Sequence, residues 1–74
     1  MRFNFGEYFQ GEPENGISSG WNFLEIDNGE ITLVEDYDVL ILTPEQAIEA
    51  VQDRYDSFFE DNPDDIIEII KEAA

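Results

Sequence analysis

The sequence contains no cysteine and no histidine, and only three of its 74 residues are basic. Without cysteine, disulfide bonds and thiolate metal ligands are excluded. Without histidine, the chain lacks the commonest general base and the commonest metal ligand. No Ser–His or Cys–His catalytic pair can form, and no glycine-rich phosphate loop is present. We therefore expect no enzymatic activity, no cofactor and no bound metal.

Clustered carboxylates leave two other chemistries to consider. A metal could be held by oxygen ligands from Asp61, Asn62, Asp64, Asp65 and Glu68. Their spacing does not follow the calcium-loop pattern D-x-[DN]-x-[DN]-G, and Pro63 favours the start of a helix instead. Hydrolysis by a carboxylate pair needs a cleft deep enough to hold a sugar, which a domain this small rarely has.

The length of the chain predicts one domain, residues 1–74. Its hydrophobic fraction of 42%, with 14% aromatic residues, is enough for a globular core and unlike a disordered acidic tail. The segment Met1–Glu7 has neither a continuous apolar stretch nor a basic run, so no signal peptide is predicted. No stretch approaches the ~20 apolar residues of a membrane span. The expected location is the cytoplasm.

The charge of the chain is strongly one-sided. Nineteen acids face only Arg2, Arg54 and Lys71, which gives a net charge of −16. A magnitude of ~2–8 suffices for solubility, and self-repulsion beyond it destabilises the compact state. We expect this charge to have a use. Nucleic acid and anionic membranes are disfavoured as partners, whereas the basic groove of a protein is favoured. Both a monomer and a homodimer remain open.

The middle of the sequence predicts a β-hairpin. Two apolar runs, Trp21–Ile26 and Ile31–Glu35, flank the pair Asn28–Gly29. Asn-Gly is the sequence typical of a type I′ turn, which needs positive φ at both central residues. The resulting register places Leu24 opposite Leu33 on one apolar face.

Two further segments read as strands. Val39–Leu42 is apolar at every position, which predicts a covered, central strand. Phe3–Phe5 alternates in the same manner as the hairpin and is a candidate fourth strand. The segment Gln10–Gly20, rich in glycine, proline and serine, is predicted to be a loop.

Two helices are predicted after the strands. Thr43 is placed to cap the first helix, Pro44 fits its first position, and Gln46 completes a capping box. Asn62–Asp65 begins the second helix by the same logic. The predicted buried residues are Ile48, Val51, Tyr55, Phe58 and Phe59 in the first helix, and Ile66, Ile67, Ile69, Ile70 and Ala73 in the second. The sequence thus predicts an α+β fold, an antiparallel sheet of three to four strands followed by two C-terminal helices packed on one face.

Acidic residues form the candidate binding site. Spacings of four, four, three and four predict one stripe along the first helix, about 22 Å long, made of Glu45, Glu49, Asp53, Asp56 and Glu60. An acidic corner made of Glu35, Asp36 and Asp38 is predicted to support it. Two plainer interpretations compete, namely the solvated face of an ordinary amphipathic helix and the general surface acidity of a salt-adapted protein.

By its size, acidity and helix-plus-hairpin build, the chain resembles small phage- or plasmid-encoded inhibitors of host defence. These include anti-CRISPR and anti-restriction proteins and other DNA mimics, such as the uracil-DNA glycosylase inhibitors. The resemblance implies an acidic inhibitor that binds the basic nucleic-acid groove of a host protein, such as a CRISPR effector, a restriction enzyme or a repair enzyme. It also implies action in the host cytoplasm.

Two other functions remain open from the residues. The first is an immunity or antitoxin-like protein that neutralises a basic toxin through the same acidic surface. The second is a small structural or adaptor domain, whose interface anchors would be the aromatic residues Tyr8, Phe9 and Tyr37.

Overall fold

The computed structural model describes residues 1–10, 18–36, 38–58 and 61–73. Within these residues the elements are β1 (Arg2–Gln10), β2 (Ser18–Asp27), β3 (Glu30–Glu35), β4 (Asp38–Leu42), α1 (Pro44–Asp53), a 3-10 turn (Tyr55–Ser57) and α2 (Pro63–Ala73). The strands form one antiparallel sheet in the order β1-β2-β3-β4. The predicted α+β fold, with its sheet followed by two helices near the C-terminus, is confirmed.

The central hairpin has the predicted turn and register. Leu24 lies opposite Leu33 across β2 and β3. Asn28 and Gly29 occupy the turn with φ values of 50° and 82°. Both values lie in the left-handed region, as a type I′ turn requires.

The first two strands are longer than predicted. Gln10 pairs with Ser18, so the ladder of β1 and β2 enters the predicted loop Gln10–Gly20 from both ends, and the prediction was wrong there. Ladder bonds use backbone groups, which glycine and serine supply as other residues do. The remaining positions 11–17 lie outside the described residues. A bulge interrupts β1 where Gly6 has a φ of 77°.

The strand β4 is an edge strand, and its prediction as a covered central strand was wrong. Val39, Leu40 and Ile41 are 64%, 53% and 70% exposed. Leu40 lies directly opposite Leu33, which is only 4% exposed. Only Leu42, at the end of β4, packs against the core, so most of this strand lies outside the apolar cover. A run of apolar residues does not by itself show whether its strand is covered.

The helix α1 begins as predicted and ends earlier. Thr43 Oγ1 accepts from the Gln46 N–H at 3.2 Å, and Gln46 Oε1 accepts from the Thr43 N–H at 3.0 Å, which is the predicted capping box. The helix stops at Asp53, so Tyr55 is not part of a buried helical stripe and is 45% exposed. Val51 is buried as predicted, together with Ala47 and Ala50, whereas Ile48 is only partly buried.

A tertiary contact holds the chain that follows the helix. Phe58 adopts an extended conformation, forms a β-bridge to Phe5 and packs against its ring, with the two centroids 5.1 Å apart. Phe58 is buried as predicted, although in a bridge and not in a helix. Phe59 lies outside the described residues.

The second helix follows its prediction closely. Asn62 Oδ1 accepts from the Asp64 N–H at 2.9 Å, which satisfies a free donor in the first turn. Ile66 and Ile70 are fully buried, whereas Ala73 is exposed. The buried core consists of Phe3, Phe5, Leu24, Ile26, Ile31, Leu33, Ala47, Ala50, Val51, Phe58, Ile66 and Ile70.

Candidate functional site

Three carboxylates form what we call the α1 acidic face: Glu45, Glu49 and Asp53. They follow one another at intervals of four, so they lie on one side of the helix. All three are exposed, while Ala47 and Val51 are buried on the other side. Eight residue rises separate the first from the last, so the face is about 12 Å long.

The α1 acidic face is shorter than the stripe predicted from spacing. Asp56 is exposed but lies in the 3-10 turn, beyond the end of the helix, so it does not continue the helical row. Glu60 lies outside the described residues. The predicted helical length of about 22 Å therefore falls to about 12 Å.

The acidic corner, Glu35, Asp36 and Asp38, connects β3 and β4. Asp36 has a φ of 49°, and its N–H donates to Asn22 Oδ1 at 3.0 Å. Asp36 and Asp38 are exposed, and each adds a negative charge to this end of the sheet.

Glu35 differs from its two neighbours because its carboxylate is already paired. Arg54 donates from Nε to Oε2 at 2.8 Å and from Nη2 to Oε1 at 2.7 Å. These hydrogen bonds lower the pKa of the Glu35 carboxyl, partial burial opposes that effect, and the positive charge of Arg54 adds to the lowering. Glu35 was predicted as a supporting binding residue, and the structure gives it an intramolecular role.

Arg54 joins the acidic corner to the α1 acidic face. Besides Glu35, its guanidinium bonds through Nη1 to the Ala50 carbonyl oxygen at 2.9 Å, near the end of the helix. Asp53 directly precedes Arg54, so the last carboxylate of the helical face and the corner are held at the same end of the sheet. No sequence spacing indicated this contact between residues nineteen positions apart.

Each of the three basic residues lies close to a carboxylate outside the α1 acidic face. In the described residues, Arg2 pairs with Glu25 at 3.0 Å, Arg54 pairs with Glu35 at 2.7 Å, and Lys71 lies 3.9 Å from Glu68. None of these three ion pairs includes Glu45, Glu49 or Asp53, although Asp53 directly precedes Arg54 in the sequence. Further exposed carboxylates of the described residues are Asp27, Glu30, Asp64, Asp65, Glu68 and Glu72.

Among the proposed metal ligands, Asn62 and Asp64 are joined by the helix-capping hydrogen bond. In the part of the chain that the structure describes, there is no cluster of three or more metal-ligating side chains and no ligand-sized pocket. None of the helices seen in those residues has both the length and the apolar content needed to cross a bilayer. The predictions for Tyr37 and for the side chains of Tyr8 and Phe9 fall outside what the structure describes.

Comparison of the chain with protein-family models, with curated proteins and with solved structures gave no match.

Proposed function

We propose that the chain is an acidic inhibitor that binds the basic nucleic-acid groove of a partner protein in the manner of a DNA mimic. The observation that carries the proposal is the α1 acidic face, three exposed carboxylates in a row that take part in none of the ion pairs of the described residues. The capping box stabilises the first turn of this helix, so the three carboxylates lie on an element whose start is well defined.

The spacing of the row supports a match in charge density. Neighbouring carboxylates on α1 are about 6 Å apart along the axis. Phosphates of one DNA strand advance by about 3.4 Å per base pair. A groove lined with Arg and Lys would therefore contact negative charges on α1 at a spacing of the same order as the phosphates of DNA. Asp36, Asp38 and Asp56 extend the negative surface beyond the helix.

The charge of the whole chain supports the same partner. A net charge of −16 attracts a basic groove over a distance and accelerates association at low ionic strength. The resemblance to acidic inhibitors of host defence suggests a CRISPR effector as the target, with restriction and repair enzymes as related targets.

A competition experiment tests the proposal. A guide-loaded CRISPR effector is incubated with labelled target DNA and increasing amounts of the protein, at low and high salt. We expect displacement of the DNA that weakens as salt rises. The variant E49K/D53K/D56K should displace DNA at least tenfold less well.

The matched control is D27K/E68K/E72K, which changes the net charge equally, from −16 to −10, because each of three acids becomes a base. It should keep the displacement. Equal loss in both variants would show that net charge alone matters, and equal retention would exclude the α1 acidic face as the binding site. Absence of displacement from restriction and repair enzymes as well as from the effector would overturn the proposal.

A further inference from the structure

The edge strand β4 is the largest exposed apolar feature of the described residues. Val39, Leu40 and Ile41 account for three of the five large hydrophobic side chains that are exposed. Proteins usually protect an edge strand with charges, proline or a bulge, because its free backbone groups can pair with another strand. In β4 only Asp38, its first residue, is such a device, and the following residues Val39–Leu42 contain none.

The register shows which backbone groups of β4 are free. Two residues separate Glu35 from Asp38, which face each other, so this pair exchanges the first backbone hydrogen bonds of the hairpin. Bonded and non-bonded pairs alternate along an antiparallel ladder, so Leu40 also bonds toward β3. The N–H and C=O groups of Val39 and Ile41 therefore point away from the sheet.

Apolar rows of the sheet continue up to this edge. On the helix-covered face, a row runs across Leu24 and Leu33 to Leu40, where the cover ends. On the open face, Val39 continues a row from Val34. A strand added beside β4 would thus meet apolar neighbours on both faces as well as free backbone groups.

Charge decides between the possible occupants. A second copy would bring its own −16 against the −16 already present. In the sequence, exposed carboxylates lie on both sides of the apolar part of β4, with Asp38 directly before it and Glu45 three residues after it. A strand that is apolar at its centre and basic at both ends complements this edge.

We propose that β4 docks an extended segment of a basic partner protein, which adds to the sheet as a fifth strand with Lys or Arg residues at both ends. The proposal rests on the proposed function, because the partner is the same basic protein that the α1 acidic face binds. The added strand gives that complex a defined register through backbone hydrogen bonds, whereas attraction between charges alone does not.

The test uses the ¹⁵N-labelled protein and the synthetic peptide KKVTVTVKK as the probe. We expect saturable binding, with slowed hydrogen exchange of the amides of Val39 and Ile41. The peptide KKVPVPVKK has the same charge but cannot form a regular strand, and we expect it to bind at least tenfold more weakly.

A variant of the protein completes the test. Ile41→Pro removes an outward N–H and no bond to β3, so it should weaken the binding of KKVTVTVKK at least tenfold with an unchanged circular dichroism spectrum. Ile41→Lys, which keeps the N–H but repels the basic strand, serves if the proline variant does not fold, and it should weaken binding by a similar factor.

Three outcomes would overturn the docking proposal: absence of binding by KKVTVTVKK, equal binding of the two peptides, or a wild-type dimer that Ile41→Pro converts to a monomer. Equal peptide binding would mean that charge alone attracts the segment, and a dimer would mean that a second copy occupies the edge. These outcomes concern only the edge of the sheet. The competition experiment with the E49K/D53K/D56K variant tests separately whether the α1 acidic face displaces DNA.

Discussion

Arg54 holds the carboxylate of Glu35 with two hydrogen bonds, at 2.8 and 2.7 Å, and so fastens the end of α1 to the end of β3. This ion pair crosses from the helical layer to the sheet in a chain that carries only three basic residues. The side chains are partly exposed, 23% for Arg54 and 36% for Glu35. Solvent therefore screens the pair, and its bidentate geometry is what distinguishes it from an ordinary surface contact.

Replacement of Glu35 tests the energy of this pair. We expect Glu35→Gln to lower the free energy of unfolding by about 1 kcal/mol after allowance for solvent screening. A double-mutant cycle with Arg54→Gln, measured by urea denaturation, isolates the pair from the bond that Arg54 makes to Ala50. A coupling energy indistinguishable from zero would contradict this expectation.

The contribution of Glu35 should depend on pH in a defined direction. The pKa of Glu35 is lowered in the folded protein from an ordinary value of 4.5. A group with a lowered pKa contributes its full stability above the unfolded value and loses it as the pH falls through the folded value. The stability difference between wild type and Glu35→Gln should thus be constant near pH 7 and shrink below about pH 4.5. Urea denaturation at a series of pH values measures it, and a difference that grows on acidification would refute the assignment.

Much of the fold follows from local sequence signals. The Asn28–Gly29 turn fixes the register of the hairpin, because the backbone conformation it requires is rare elsewhere. The capping residues Thr43 and Asn62 mark the start of both helices for an equally local reason, the hydrogen bonds they accept within the first turn. These signals need no knowledge of distant contacts.

Other features depend on contacts between distant residues. The helix α1 ends at Asp53, and the chain after it is held by Phe58, which packs on Phe5 far away in the sequence. For that reason the predicted acidic stripe was too long, although the α1 acidic face itself lies on the helix as predicted. The exposure of β4 follows from its place at the edge of the sheet, and the pairing of Glu35 with Arg54 follows from the position of the end of α1 beside the end of β3. The periodicity of the sequence indicates neither.

Self-repulsion should make the stability of the protein depend on salt. Because the chain carries a net charge of −16, raising NaCl from 10 mM to 0.5 M should increase the free energy of unfolding by on the order of 1 kcal/mol. Urea is the appropriate denaturant, since guanidinium chloride would itself screen the charges.

The exposed residues Asp27 and Glu30 face each other at the hairpin tip. The variant D27N/E30Q should therefore stabilise the protein at low salt and reduce the dependence of its stability on salt. A salt response of the opposite sign would contradict the argument.

The hairpin turn provides a test of backbone conformation alone. A Cβ added at Gly29 would meet no atom within 4 Å, so steric contact does not oppose Gly29→Ala. The backbone conformation opposes the substitution, because a φ of 82° is unfavourable for alanine. We expect Gly29→Ala to lower the free energy of unfolding by about 1 kcal/mol. Asn28→Gly is the matched control, because it makes the neighbouring φ of 50° easier to adopt, and it should change stability by less than about 0.5 kcal/mol. Equal effects of the two variants would show that the turn conformation is not what matters.

The contact between Phe58 and Phe5 should be essential for the folded state. Phe58 is 8% exposed, and its replacement by alanine should lower the free energy of unfolding by about 3–5 kcal/mol. A domain of this size has a total stability of roughly 4–11 kcal/mol, so Phe58→Ala should be close to unfolding at room temperature. Circular dichroism during urea denaturation measures the loss.

Tyr55 provides the control for Phe58, because it is aromatic, lies three residues away and is exposed. Its hydroxyl donates to Asp64 Oδ2 at 3.1 Å, and this hydrogen bond raises the pKa of Tyr55. Tyr55→Ala removes an exposed ring and should lower the urea midpoint far less than Phe58→Ala, while Asp64→Asn should lower the pKa of Tyr55, as followed by NMR of the ring. If Tyr55→Ala destabilised the protein as much as Phe58→Ala, the chain between α1 and α2 would have to pack on the sheet through Tyr55, contrary to the observed bridge between Phe58 and Phe5.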